Sequence, residues 1–168
     1  MASKITGSQT IGPFPHEGWR WAFEAALPDK AAITIFGTVY DGDGVPVTDA
    51  VLEAWTPHAA TVESQRVLPA FRRVPTDDSG VFRLHIAAPP TGRGEPAMFV
   101  TLFSRGLLKH QFTAVFLDPD AGLAQSTILV QVPAARRDTL VARATGERQY
   151  RWDIWLQGER ETVFFDYT

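Results

Sequence analysis

Any catalytic or metal site in this chain has to be built from histidines, carboxylates, phenols and hydroxyls, because it contains no cysteine. That absence removes a thiolate nucleophile, a thiolate zinc site and a disulfide framework together. The four histidines, His16, His58, His85 and His110, stand apart from one another, with no His-x-His or His-x3-His pair to put two imidazoles on one face. Each therefore reads as a packing or surface residue. Asp41-Gly42-Asp43-Gly44 begins like a calcium loop, yet Val45 stands where a third ligand belongs and no helices are predicted around it. Asp-Gly steps after a β-like run are hairpin chemistry, so a turn is the better reading. Glu159 and Glu161 alternate along an extended segment and read as a solvated strand end. Neither a Gly-x-Ser-x-Gly elbow nor a Gly-x4-Gly-Lys-Ser/Thr phosphate loop occurs. By ordinary motifs the chain is catalytically empty.

The elements that would position any site are β-strands. Strands are expected over residues 33–40, 51–55, 81–86, 97–104, 110–117, 129–132, 139–143, 150–157 and 162–167, with one short helical turn within 118–124. In the third of these, Phe82, Leu84 and Ile86 share one face and Val81, Arg83 and His85 the other, the period of a half-buried strand. Asp41-Gly42-Asp43-Gly44 and Asp77-Asp78-Ser79-Gly80 supply turns. Short strands, Gly/Pro punctuation and no amphipathic helix argue for an all-β, single-domain β-sandwich over 31–168. Residues 1–30 are too rich in Gly and Pro for regular structure and form an irregular N-terminal arm. Its anchors Trp19, Trp21 and Phe23 lie either on their own domain or on another chain. With 168 residues and 45% apolar content the chain can bury a core of its own.

A formal charge of −3 with no basic stripe argues against nucleic acid as a partner. No run reaches membrane-spanning length and no leader-like apolar stretch follows Met1, so a cytoplasmic protein is expected, without a membrane partner.

Three stretches together carry a resemblance. They are Ser8-Gln9-Thr10-Ile11-Gly12-Pro13-Phe14, then 37–44 with Val51-Leu52-Glu53-Ala54-Trp55 and Thr76-Asp77-Asp78-Ser79-Gly80, and finally 153–167 with its Glu-Thr-Val-Phe-Phe-Asp ending. Leu102-Phe103-Ser104-Arg105-Gly106 lies between them. The chain resembles the intradiol ring-cleaving dioxygenases, in particular the α chains of those members that pair α with β chains and act on protocatechuate. The resemblance runs over essentially the whole length and implies that family's β-sandwich.

The family's catalytic chain holds Fe(III) with two tyrosines and two histidines, hard phenolates suiting a ferric ion. Here the His-x-His place after Pro96-Ala97 reads Met98-Phe99-Val100. The Pro-Tyr-Pro place falls on Ile86-Ala87-Ala88-Pro89-Pro90, and no Tyr occurs between Trp55 and Thr76. The resemblance therefore implies no iron and no catalytic residue in this chain. The metal, Fe(III), would be bound by a partner β chain in a hetero-oligomer, with protocatechuate and O2 as substrates. It further implies that Thr10, Gly12 and Pro13 of the arm and Arg105 reach the substrate pocket around the partner's iron. Gly12 would allow close backbone approach, Pro13 would stiffen it, and Arg105 would offer a permanent cation to a carboxylate-bearing substrate or an acid of the partner. On the residues alone, Gly12-Pro13 reads better as a simple turn and Arg105 as an ordinary end-of-strand charge. A stand-alone sandwich that binds a ligand or protein remains the alternative. Trp19, Trp21, Phe164 and Phe165 are the aromatic candidates for interface or core.

Overall fold

The computed structural model describes residues 32–57, 64 and 68–166. Nine strands run in chain order: β1 (Ala32–Tyr40), β2 (Val51–Trp55), β3 (Phe71–Pro75), β4 (Val81–Ala87), β5 (Met98–Phe103), β6 (Gln111–Asp118), β7 (Val141–Gly146), β8 (Gln149–Arg151) and β9 (Ile154–Trp155). They hydrogen-bond in the order β3-β2-β5-β6-β7-β8-β1-β4, with β9 continuing alongside β1. The ladder folds over into two layers, β3-β2-β5-β6 and β7-β8-β1-β4, joined where β6 and β7 run parallel through Phe116–Val141. One apolar core lies between them. It takes Ile33 and Ile35 from β1, Leu52 and Ala54 from β2, Phe82, Leu84 and Ile86 from β4, and Met98, Val100 and Leu102 from β5.

The alternation read in the sequence sets these faces. In β4, Phe82, Leu84 and Ile86 are buried while Arg83 and His85 are exposed, as period-2 geometry requires. At the far edges β3 and β4 approach each other. The Arg72 Nε donates to the His85 carbonyl at 2.6 Å, so a buried arginine links the two layers where no backbone ladder does.

Two tight turns repeat one device. Asp41 Oδ1 accepts the N–H groups of Asp43 and Val45, and Asp77 Oδ1 those of Ser79 and Val81. Gly44 and Gly80 take the positive φ that closes each turn. The predicted turn at 41–44 is therefore a turn, its leading carboxylate satisfied by its own backbone. At Asp77 the Val81 and Ser79 amides, helped by the charge of Arg83, hold the carboxyl below its ordinary value of 3.8 against a small opposing effect of burial. A depressed carboxyl pKa contributes stability that is present above the unfolded value and disappears as pH falls through the folded one. Replacing Asp77 by Asn keeps the acceptor but removes the titration. The gap in melting temperature between wild type and Asp77→Asn should thus narrow between pH 7 and acid below about 3.8, the ordinary carboxyl value; a gap independent of pH would refute this account.

The sequence reading departs from the structure along the second half of the chain. Residues 129–132, expected as a strand, form a 3-10 turn, Leu129–Gln131. The expected strand 139–143 is split, Ala134–Leu140 being 3-10 and only Val141 onward being strand. Residues 150–157 break into β8 and β9 around Trp152. The last expected strand, 162–167, is held among the described residues by a single bridge, Phe112 to Phe165. The helical turn expected within 118–124 lies at the end of that span and runs one residue past it, as Leu123–Gln125. Strand β3 was not anticipated at all.

Candidate functional site

At the two positions that the resemblance sets against the family's iron histidines, β5 presents Met98 and Val100 to the core, 0% and 1% exposed. Both sit among Leu52, Ala54, Phe82 and Leu84 in the same apolar cluster. The two tyrosines of the described residues lie elsewhere. Tyr40 stacks on Trp155 at 4.5 Å, and Tyr150 pairs with Ile35 across β1 and β8. No group of three or more His, Cys, Asp or Glu side chains among the described residues is arranged to hold a metal ion. Buried thioether and alkyl groups offer no hard donor to a ferric ion. The residues at these positions do not fit the family's iron.

The opposite end of β5 is different in character. Beyond Phe103 the chain turns through Ser104-Arg105-Gly106-Leu107, closed by a hydrogen bond from the Leu107 amide to the Ser104 carbonyl, with Gly106 at φ +82°. A type II turn places such a glycine third, leaving the second residue projecting. That residue is Arg105, its side chain 87% exposed and its Nε paired with the Asp49 carboxylate. Asp49 precedes β2, and the β2–β5 register, Val51 opposite Phe103, brings the two loops together. Arg105 lies in the turn that follows the last residue of β5, Phe103. It is thus exposed beyond the strand end, whereas Met98 and Val100 are buried within the strand.

Of the other predicted site residues, Thr10, Gly12 and Pro13 lie outside the described residues, as do Trp19, Trp21, His16 and His58. His85 is hydrogen-bonded through Nδ1 to Thr34 Oγ1 at 3.1 Å on the outer face. His110 packs between the rings of Phe103 and Phe112. Phe164 packs against the main core and Phe165 against the smaller cluster around Phe116 and Leu129. Glu159 is exposed, and Glu161 stands 3.9 Å from Arg136. A shallow, open depression of about 320 Å³ runs between the 42–44 turn and 157–160, floored by Trp155 with Arg160 over its ring. Sequence reasoning missed Asp49, because only the strand register, invisible in the sequence, brings it to Arg105.

The same sandwich occurs in solved structures. The dioxygenase domain of a carbohydrate-binding fusion protein from Streptomyces sp. SirexAA-E superposes with a TM-score of 0.59 over 84% of this chain and 86% of its own, at 15% identity. Catechol 1,2-dioxygenase from Pseudomonas arvilla C-1 gives a TM-score of 0.58 over 82% of this chain and 55% of its own, at 20% identity. The architecture is thus that of the intradiol dioxygenases. No protein-family model matches the sequence. Individual relatives do: the protocatechuate 3,4-dioxygenase alpha chain of Burkholderia cepacia is 33% identical, covering 97% of this chain and 98% of that one. The alpha chain of Pseudomonas putida is 34% identical, covering 96% of each. The chain belongs to the family of protocatechuate 3,4-dioxygenase alpha chains.

Proposed function

We propose that this chain is the non-iron subunit of a protocatechuate 3,4-dioxygenase, completing a pocket whose Fe(III) is held by a β-type partner chain. The reaction adds both atoms of O2 to 3,4-dihydroxybenzoate and breaks the bond between its two hydroxylated carbons, giving 3-carboxy-cis,cis-muconate. The partner's ferric ion supplies the chemistry that lets the bound catechol react with O2. This chain supplies a wall and a charge. The observation that carries the reading is the burial of Met98 and Val100 in the apolar core of a chain that matches an alpha chain over 97% of its length. A chain of this family with those positions filled needs another chain for its metal.

Arg105 is the pocket residue within the described part of the chain. It is solvent-facing and lies beyond the end of β5, so it is free to serve a neighbouring chain. Its planar guanidinium matches a carboxylate in shape. Thr10, Gly12 and Pro13 carry the family's arm motif and complete the same wall. The assembly works in the cytoplasm, in keeping with a chain free of cysteine. Among the described residues no helix is long and apolar enough to cross a membrane.

Purification with and without the β-type chain tests this. The chain alone should be colourless and free of iron, and the co-expressed pair should elute together, red from its ferric–phenolate band and active on protocatechuate. Stoichiometric iron and ring cleavage by this chain alone would overturn the assignment, and failure of the two chains to associate would favour a stand-alone binding module.

A further inference from the structure

We infer that Asp49 is a positioning residue for the reaction: it fixes Arg105 so that the far edge of the guanidinium faces an incoming carboxylate. The inference rests on the reading that Arg105 lines the pocket. A guanidinium can grip a carboxylate through two parallel N–H groups, but only if one edge is free and the plane is held. Asp49 Oδ2 takes Nε. No other hydrogen bond or ion pair engages the Arg105 side chain among the described residues, so its Nη1–Nη2 edge is left open.

The restraint is needed because of where Arg105 sits. An exposed arginine on a hairpin tip samples many rotamers, and ordering it costs side-chain entropy. A partner that holds the side chain before substrate arrives removes part of that cost from binding. Asp49 is itself well placed to do this. Its side chain is one-third exposed, and the next residue is clamped: the Ala50 amide donates to Thr76 Oγ1 at 3.0 Å, and the Thr76 amide donates to the Ala50 carbonyl at 2.9 Å. Thr76 is buried. The Arg105 backbone is fixed in turn by the Ser104–Leu107 hydrogen bond and the left-handed Gly106. Two rigid loops thus meet in one ion pair, aimed outward from the end of β5.

The test uses the enzyme assembled with its β-type chain, comparing wild type, Arg105→Ala, Asp49→Ala and Asp49→Glu. Asp49→Ala should raise KM for protocatechuate about twofold to fivefold, the range for losing one exposed ion pair, with kcat within about twofold. Asp49→Glu should recover most of the loss. Arg105→Ala should raise KM at least as much. Catechol, which lacks the carboxylate, should inhibit all four proteins equally, an equality that general loosening of the loop would not give. In the isolated chain, the Arg105 Nε–H signal in a nitrogen-15 NMR spectrum should be protected from exchange in wild type and lose that protection in Asp49→Ala. If Arg105→Ala raises KM while Asp49→Ala leaves it unchanged or lowers it, Asp49 does not position Arg105, and the pocket reading stands. If Arg105→Ala itself changes nothing, the pocket role of Arg105 fails, and the inference with it.

Discussion

Substituting Ala for Gly37 should severely destabilise the fold, costing about 4 kcal/mol or more of a total stability on the order of 5–15 kcal/mol. A Cβ at position 37 would stand 1.8 Å from the Trp152 carbonyl oxygen and 2.5 Å from its carbonyl carbon. Both are backbone atoms, so no rotamer change relieves the contact. One of the two segments has to move, and packed cores resist displacement by a single methyl. The movement would strike several interactions at once. The Trp152 amide donates to the Phe36 carbonyl at 2.8 Å, and the Thr38 amide to Asp153 Oδ1 at 3.0 Å. The Trp152 indole donates to the Thr139 carbonyl at 2.9 Å and packs edge-on against Phe82. Separation of β1 from the 149–155 segment loses these together. Gly146→Ala is the control: a Cβ there would meet nothing within 4 Å. Its stability should stay within about 0.5 kcal/mol of wild type. Denaturant unfolding of the two variants would decide the matter, since equal midpoints would mean that the approach of Trp152 to β1 is not tight in solution.

Gly37 also shows how much of this fold was open to a reader of the sequence. A lone glycine inside a β-branched, aromatic run signals close backbone approach, but the signal does not say what approaches. Strand β4 was legible because burial on one face leaves a period of two. Strands β1 and β5 were legible because their β-branched, aromatic or continuous apolar runs mark strands even where, as in β6, burial falls on both faces. The 129–132 run misled because it is mostly apolar. In the 3-10 conformation Leu129 and Val132, three apart, share the buried side while Val130 is exposed. The Ser126 hydroxyl that accepts the Leu129 amide was the available clue. Strand β3 was hidden for the opposite reason. Phe71-Arg72-Arg73-Val74-Pro75 looks like a surface stretch, yet both arginines are buried, Arg72 against the β4 backbone and Arg73 with Nε 3.5 Å from Glu53. At the site, the apolar replacement of the family's ligands could be read directly from Met98 and Val100. The Asp49–Arg105 pair could not, because register between strands is a property of the folded sheet.

Restoring both histidines, as Met98→His with Val100→His, should yield a destabilised protein that still contains no iron. Each position is essentially closed to solvent. Exchanging a buried apolar side chain for an imidazole forfeits about 1.5–3 kcal/mol of burial in part and adds about 1–3 kcal/mol for a polar group without a partner. Two such changes total about 4 kcal/mol or more, a large fraction of the stability of a domain this size. Nor would the pair bind ferric ion usefully, since two neutral imidazoles lack the hard anionic phenolates that Fe(III) prefers. Tyr40 is engaged with Trp155 and Tyr150 with the layer of β1, so neither stands ready to supply one. Metal analysis and the visible spectrum of the double variant, with its unfolding midpoint, test both halves of the expectation. A stable, red variant with stoichiometric iron would mean that a ligand cage survives around β5. A colourless, weakened one would mean that the core packed around Met98 and Val100 leaves no room for a ligand cage in this chain.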